Sequence, residues 1–211
     1  MRIQPRADER RLAWVVGGHL GADFLNTVDA RGEAGQREHL LGYPGLLRWM
    51  GRAGAMGPSE LRLLRAAATA QPRAAERVHF EAIELREAAH RIVVARAAGR
   101  AANGGDVALV EQALEHARAA RLLKWNGRGF ALRWCDSNAL RRPLFVAALA
   151  LADLLEPANL VRVHICGGET CDWVFLDLSP TQRRRWCHMS ACGNRAKVRR
   201  FRVRRAGLER N

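Results

Sequence analysis

The chain has 211 residues, 48% of them hydrophobic and 27% charged, the balance of a folded protein with room for one sizeable domain and a small module. No run approaches the roughly 18 apolar residues of a membrane helix. The first residues lack the apolar core of a signal peptide, so no membrane is involved and a cytoplasmic protein is expected. The formal net charge is +14, and residues 181–211 carry +10 of it, with the single acid Glu209 among eleven basic residues. That one-sided placement points to a polyanionic partner for the C-terminal end.

Residues 1–157 read as a mainly helical domain. A first helix is predicted over His19–Ala30, with Leu20, Phe24, Leu25 and Val28 at helical spacing. Pro44 opens a second, burying Leu46, Leu47 and Met50. Pro58 sits at the first position of a third that carries Leu61, Leu63 and Leu64. Pro72 begins the longest pattern, through Val78, Ile83, Leu85, Ala89, Ile92 and Val93 to about Ala98. Asn103-Gly-Gly breaks it, and Asp106 is the expected cap of a helix over Val107–Ala120. The period then changes: Asn126-Gly127 lies between two short apolar runs, a hairpin signal across Leu122–Trp134. A last helix is predicted over Ala139–Leu155, capped by Ser137 or Asn138. Pro157-Ala-Asn159 is the expected junction to a second unit over 158–211.

Asp23, Asn26 and Thr27 share one face of the first helix. They are either residues that satisfy local backbone groups or a candidate ligand pocket. No nucleotide-binding glycine loop and no nucleophile elbow is present, and no spacing of acids and histidines defines a catalytic site, so an enzyme is not expected.

The chemistry concentrates near the C-terminus. Cys166 and Cys171 have four residues between them, and after a gap of fifteen Cys187 and Cys192 repeat that spacing. Two spaced thiol pairs suit a closed four-cysteine zinc site, in which no open position is left to activate water and the metal is structural. Disulfides, an iron–sulfur cluster and four unmetallated thiols are the alternatives. Gly167-Gly168 permits a tight knuckle after a β-like run over Leu160–Ile165, and His164 and His188 flank the cluster. Cys135 reads as an ordinary core thiol. Ser179-Pro-Thr-Gln182 has the form of a capping box, which predicts a helical turn over Arg183–Trp186. A basic helix is expected from Arg195, with Val198 and Phe201 packing on the zinc core and strand-like alternation over Arg202–Arg204. Arg183, Arg184, Arg185, Asn194, Arg195, Lys197, Arg199, Arg200, Arg202, Arg204 and Arg205 are the candidate nucleic-acid contacts, since guanidinium groups at this density match phosphates.

At these residues the sequence resembles the CGNR zinc-finger family, named for the run that stands here as Cys192-Gly193-Asn194-Arg195. The match extends through Cys171-Asp-Trp-Val-Phe-Leu-Asp177, Arg184-Arg-Trp-Cys187-His-Met189 and Ala196-Lys197. The preceding region resembles the ABATE domain, on Asp23-Phe-Leu-Asn-Thr27, Leu46 to Trp49 and the helix ending at Leu154-Leu155. The resemblance implies a bacterial, DNA-binding transcriptional regulator: a mainly α protein with a small β-hairpin, joined to a treble-clef-like zinc module whose basic helix meets DNA. A small-molecule effector acting across the Pro157–Asn159 junction and a homodimer complete that expectation. An RNA-binding zinc module, an enzyme with its site in the helical domain, and a module for acidic protein partners are the rival readings.

Overall fold

A computed structural model of the chain describes residues 16–208; residues 1–15, on which the reading of the N-terminal start rests, lie outside it. The element order is α1 (Leu20–Leu25), β1 (Val28–Asp29), β2 (Arg37–Glu38), α2 (Gly42–Arg52), α3 (Pro58–Ala70), α4 (Pro72–Ala97), α5 (Gly104–Ala119), β3 (Arg121–Trp125) and β4 (Phe130–Trp134). A 3-10 turn (Asp136–Arg141) leads to α6 (Arg142–Leu155), α7 (Pro157–Leu160), β5 (Val163–Ile165) and β6 (Val174–Leu176). A π-helical turn (Met189–Gly193) then runs into α8 (Asn194–Leu208). Among the described residues the fold is mainly α, with three two-stranded antiparallel sheets. No helix among the described residues is long and apolar enough to cross a membrane.

The core is built where apolar side chains recur at helical spacing. Leu46, Leu47, Trp49 and Met50 of α2, Val78, Ala82, Leu85, Ala89 and Val93 of α4, and Leu144, Phe145, Ala148 and Leu151 of α6 are buried together with Phe24 and Leu25. Helix α1 packs across α6 so closely that a Cβ on Gly21 would lie 2.6 Å from the carbonyl oxygen of Ala150.

Several elements differ from their sequence signals. Helix α1 stops at Leu25 instead of continuing to Ala30, because Asn26 leaves the helix to bond a distant strand and Val28–Asp29 pairs with Arg37–Glu38. Helix α2 starts at Gly42, two residues before Pro44. Pro58 opens α3 as expected, but Leu63 is exposed while Leu61 and Leu64 are buried. The cap of α5 is Asn103, whose side chain accepts from the amides of Gly105 and Asp106; Asp106 is turned to Arg91 instead. The side chains of Ser137 and Asn138 lie outside the described residues. The β3–β4 hairpin forms in the register Trp125↔Phe130, so the loop is four residues long, and Asn126 accepts from the amides of Arg128 and Gly129. The expected junction at Pro157–Asn159 lies in a helical turn, Pro157–Leu160, with Asn159 Nδ2 donating back to the Asp153 carbonyl.

The decisive feature is β6. Its two-residue period sends Val174 into the helical core and Phe175 into a second cluster with Cys166, Cys187 and Cys192, backed by Trp173 and Trp186. The two cores stand back to back on one strand.

Candidate metal centre

The β5–β6 hairpin (register Val163↔Leu176) is closed by a knuckle that carries the first cysteine pair. Cys166 follows β5, and its amide donates to the Trp173 carbonyl; the Gly167 amide donates to the Arg185 carbonyl across the module. Gly168 eases a tight approach: a Cβ there would lie 3.0 Å from Cys171 Cβ and 3.5 Å from Cys192 Sγ. The second pair comes from the chain entering α8, Cys187 just before the π-helical turn and Cys192 within it. Knuckle, hairpin and helix start give the treble-clef-like plan.

The four sulfurs all lie within 4.8 Å of one another. Cys171 Sγ is 3.7 Å from Cys187 Sγ, which is 3.6 Å from Cys192 Sγ. A tetrahedron with zinc–sulfur bonds of about 2.3 Å has edges of about 3.8 Å, so the cage has the size of a single tetrahedral ion. The contacts are far too long for disulfide bonds. His164 stacks on Phe175 and His188 bonds Ser190 Oγ, so neither histidine joins the group. Cys135 is half-buried and stands apart from it.

Four thiols this close conflict without a cation. Hydrogen bonds from Cys171 and Cys187 hold the Cys166 thiol far below its ordinary range, to about 2. That same bonding to Cys166 pushes Cys171 up to about 12 and Cys187 upward as well, with burial adding to both. A divalent ion resolves the conflict by stabilising all four thiolates. The surrounding chain is already arranged for that charge: the Cys187 amide donates to Cys166 Sγ at 3.3 Å, and Arg195 Nη2 donates to Cys192 Sγ at 2.9 Å. The structural zinc is therefore held by Cys166, Cys171, Cys187 and Cys192.

The run Cys192-Gly-Asn-Arg195 has a physical reading. Cys192 is a ligand. Gly193 sits tightly against Trp186, where a Cβ would lie 3.2 Å from Cδ1, and a Cβ would also displace the exposed, movable Met189 side chain. Asn194 begins α8, and Arg195 folds back on the sulfur of Cys192. Arg195, a candidate nucleic-acid contact, is exposed and also bonds the metal site through Nη2.

Arg184 is also structural. Its guanidinium lies 4.4 Å over the Phe175 ring and donates to the carbonyls of Trp186, Val16 and Cys187. The expected helical turn over Arg183–Trp186 does not form: Asp177 accepts from the amides of Ser179 and Arg184, fixing an open loop in which Gln182 has φ +47°. Arg183, Arg185, Asn194, Lys197, Arg199, Arg200, Arg202, Arg204 and Arg205 are exposed, with Arg185 near the Trp186 ring and Arg199 paired to Glu169. Helix α8 continues through Arg202–Arg204, where strand-like alternation was expected. Val198 and Phe201 are not part of the cluster around the cysteines: they are 42% and 65% exposed.

Asp23, Asn26 and Thr27 are placed as joints between segments. Asp23 accepts from the Gly17 amide at 2.7 Å, and burial pushes its carboxyl up to about 6 against that bond. Thr27 Oγ1 donates to the Phe24 carbonyl and accepts from Arg86. Asn26 bridges the two cores: its Nδ2 donates to the Val174 carbonyl at 2.8 Å, and its Oδ1 accepts from the Val174 amide at 2.7 Å. Asn26→Ala leaves two buried backbone groups of β6 unpaired, and a loss of about 3 kcal/mol in urea unfolding is expected. A loss under about 1 kcal/mol would show that water replaces the clamp.

Sequence reasoning missed the ionic network beneath the knuckle. Arg86, 2% exposed, makes a bidentate pair with Glu38 at 2.8 and 2.7 Å and a third contact to Glu87 at 2.7 Å. Glu87 pairs with Arg31 at 3.0 Å, and Arg31 reaches Asp172 of the knuckle at 2.9 Å. Trp173 Nε1 donates to Asp29, and His90 lies against the Asp172 carbonyl. One signal was present: Arg86 interrupts the buried stripe Ala82–Ala89–Val93, where an arginine needs partners.

Two family models match the chain. The CGNR zinc finger matches residues 162–205, and ABATE, described as a putative stress-induced transcription regulator, matches residues 18–157. No curated protein matches it.

Proposed function

Since the chain belongs to the ABATE family and ends in a CGNR zinc finger, we propose that it is a transcriptional regulator that binds DNA through α8. The observation that carries this reading is the 15-residue basic helix standing on the closed metal site, with guanidinium groups on its free surface. The major groove, about 12 Å wide, admits such a helix, and arginine side chains supply both phosphate contacts and bidentate contacts to guanine. In this reading the zinc positions the helix, and no catalysis is assigned to the helical domain. Lys197, Arg200, Arg202 and Arg204 on α8, with Arg183 and Arg185 beside it, are the contacts; Arg184 and Arg195 support the module.

Two tests follow from that division. DNA fragments retained by the purified protein are sequenced, and duplex DNA is compared with structured RNA at matched salt. Retention without sequence preference, or preference for RNA, overturns the regulator reading. With about five phosphate contacts, log K falls against log salt with a slope near roughly −4.5. The double variant Arg200→Ala/Arg204→Ala is expected to reduce that slope by about 1.8 at unchanged Tm. Arg184→Ala is expected to lower Tm instead, which a uniform coat of phosphate contacts would not produce.

A homodimer belongs to the same reading. In the β3–β4 register Leu123, Leu132, Trp125 and Phe130 share one face and are 51–69% exposed, while Lys124 and Arg133 lie on the other. An apolar face of this kind marks an interaction site. Pairing it with its copy in a second chain buries the apolar faces and leaves the basic ones outward. Trp125→Ser is expected to shift the protein to monomer in sedimentation equilibrium; an unchanged mass would remove the hairpin from the interface. A small-molecule effector of the helical domain would act on α8 through the Asn26–Val174 clamp and the Arg31–Asp172 pair, which join the two cores.

A further inference from the structure

The four sulfurs are unequally sheltered. Cys166, Cys187 and Cys192 are buried, and Cys171 is half-buried. A cavity of about 100 Å³ opens between the knuckle and the first turns of α8, and Cys171 and Cys192 line it with Gly168, Arg195 and Ala196. Cys166 and Cys187 are not in its wall. The cavity thus lies against the Cys171–Cys192 edge of the sulfur tetrahedron, with Cys171 the more accessible of the two, and the opposite edge faces away from it.

Charge decides what enters. Four thiolates around a divalent ion carry two negative charges. Arg195 is spent on Cys192, and Arg199 at the rim is paired with Glu169. The remaining balance is negative, which disfavours phosphate and other anions. The space is a few times the roughly 30 Å³ share of one water molecule. A small, neutral electrophile fits both constraints.

We propose that the Cys171–Cys192 edge is an oxidation site for hydroperoxides. The Cys171 thiolate attacks one peroxide oxygen, so an S–O bond forms, the O–O bond breaks and hydroxide leaves, taking a proton to become water. The Cys192 thiolate, within 4.8 Å of it in the same cavity wall, then attacks the Cys171 sulfenic acid. An S–S bond forms, the S–O bond breaks, and a second hydroxide is protonated to water. Two thiolates lose two electrons, one peroxide is reduced to two waters, and the site loses two of its four ligands. This inference rests on the metal site alone and is independent of DNA binding.

The test uses the full-length, zinc-loaded protein and hydrogen peroxide, with released zinc followed by a colorimetric chelator and the cysteines mapped by alkylation and mass spectrometry. Zinc release together with a Cys171–Cys192 disulfide, while Cys166 and Cys187 remain alkylatable, is the expected result. Early oxidation of Cys166 or Cys187, or peroxide exposure that releases no zinc, overturns the proposal. Filling the cavity by Ala196→Leu, or independently by Thr170→Leu, is expected to slow release about fivefold with zinc affinity unchanged in chelator competition. Release at the wild-type rate in both variants overturns it as well.

Discussion

Removal of zinc by a strong chelator is expected to unfold the segment from Val163 through α8 and to lower the Tm of the helical domain by about 10 °C. Structural zinc supplies roughly 10–16 kcal/mol of apparent binding free energy to small modules, more than a cluster of Phe175, Trp173 and Trp186 can replace. The effect on the helical domain follows from β6. When the knuckle opens, Val174 leaves the main core and Asn26 loses both partners, a loss of about 3 kcal/mol that corresponds to roughly 10 °C in a chain of this size. Cys187→Ser should reproduce the result in calorimetry. A helical-domain transition that is unmoved by metal removal would show two independent units and refute the shared-strand account. Zinc must also displace protons from thiols that the apo cluster holds upward, Cys171 to about 12, so metal affinity should fall as pH is lowered and protons should be released on binding.

Replacing Arg86 by Met should destabilise the folded chain by about 4 kcal/mol, because it leaves Glu38 and Glu87 without their shared cation at the edge of the core. The pH dependence identifies the cause. Burial alone would raise the Glu38 carboxyl, but the hydrogen bonds and charge of Arg86 take it below its ordinary value of 4.5. An acid whose folded-state value is depressed contributes stability that is present above its unfolded value and lost as pH falls through the folded one. Wild-type protein should therefore lose this contribution below about pH 4.5. In Arg86→Met only the backbone amides of Leu40 and His39 still oppose burial at Glu38, so the loss of stability on the acid side should shrink. Adding Glu38→Gln should restore part of the loss at neutral pH. A variant that melts like wild type at pH 7 would mean that solvent already screens the pair.

Much of this protein was legible in the residues themselves. The paired Cys166/Cys171 and Cys187/Cys192 spacings identify the metal site because a tetrahedral ion imposes its geometry on short loops, and loops are local in sequence. Helices α3, α4, α5 and α6 follow from prolines, caps and apolar periodicity, which are likewise local. The same local signals failed at Ser179–Gln182, where the capping-box pattern lost to Asp177, and at Asp106, where Asn103 took the cap and a distant Arg91 took the acid.

The role of the arginines could not be read from their number. Arg184, Arg195 and Arg200 have the same chemistry in sequence; what separates them is whether a ring, a carbonyl or a thiolate from another segment lies within reach. Asn26 could be read as bonding local backbone or as lining a pocket, and its actual partner was out of view because it is 148 positions away. The sequence by itself determined the four-cysteine site, the helical class and the basic end of the chain, since each is set by composition or by neighbours along the backbone. The tertiary structure alone decided that zinc module and helical domain share a strand, that Asn26 and Arg31 join them, and which guanidinium groups are drawn into the fold. Those outcomes depend on which buried polar groups find partners across the fold, and a linear pattern carries no record of that pairing.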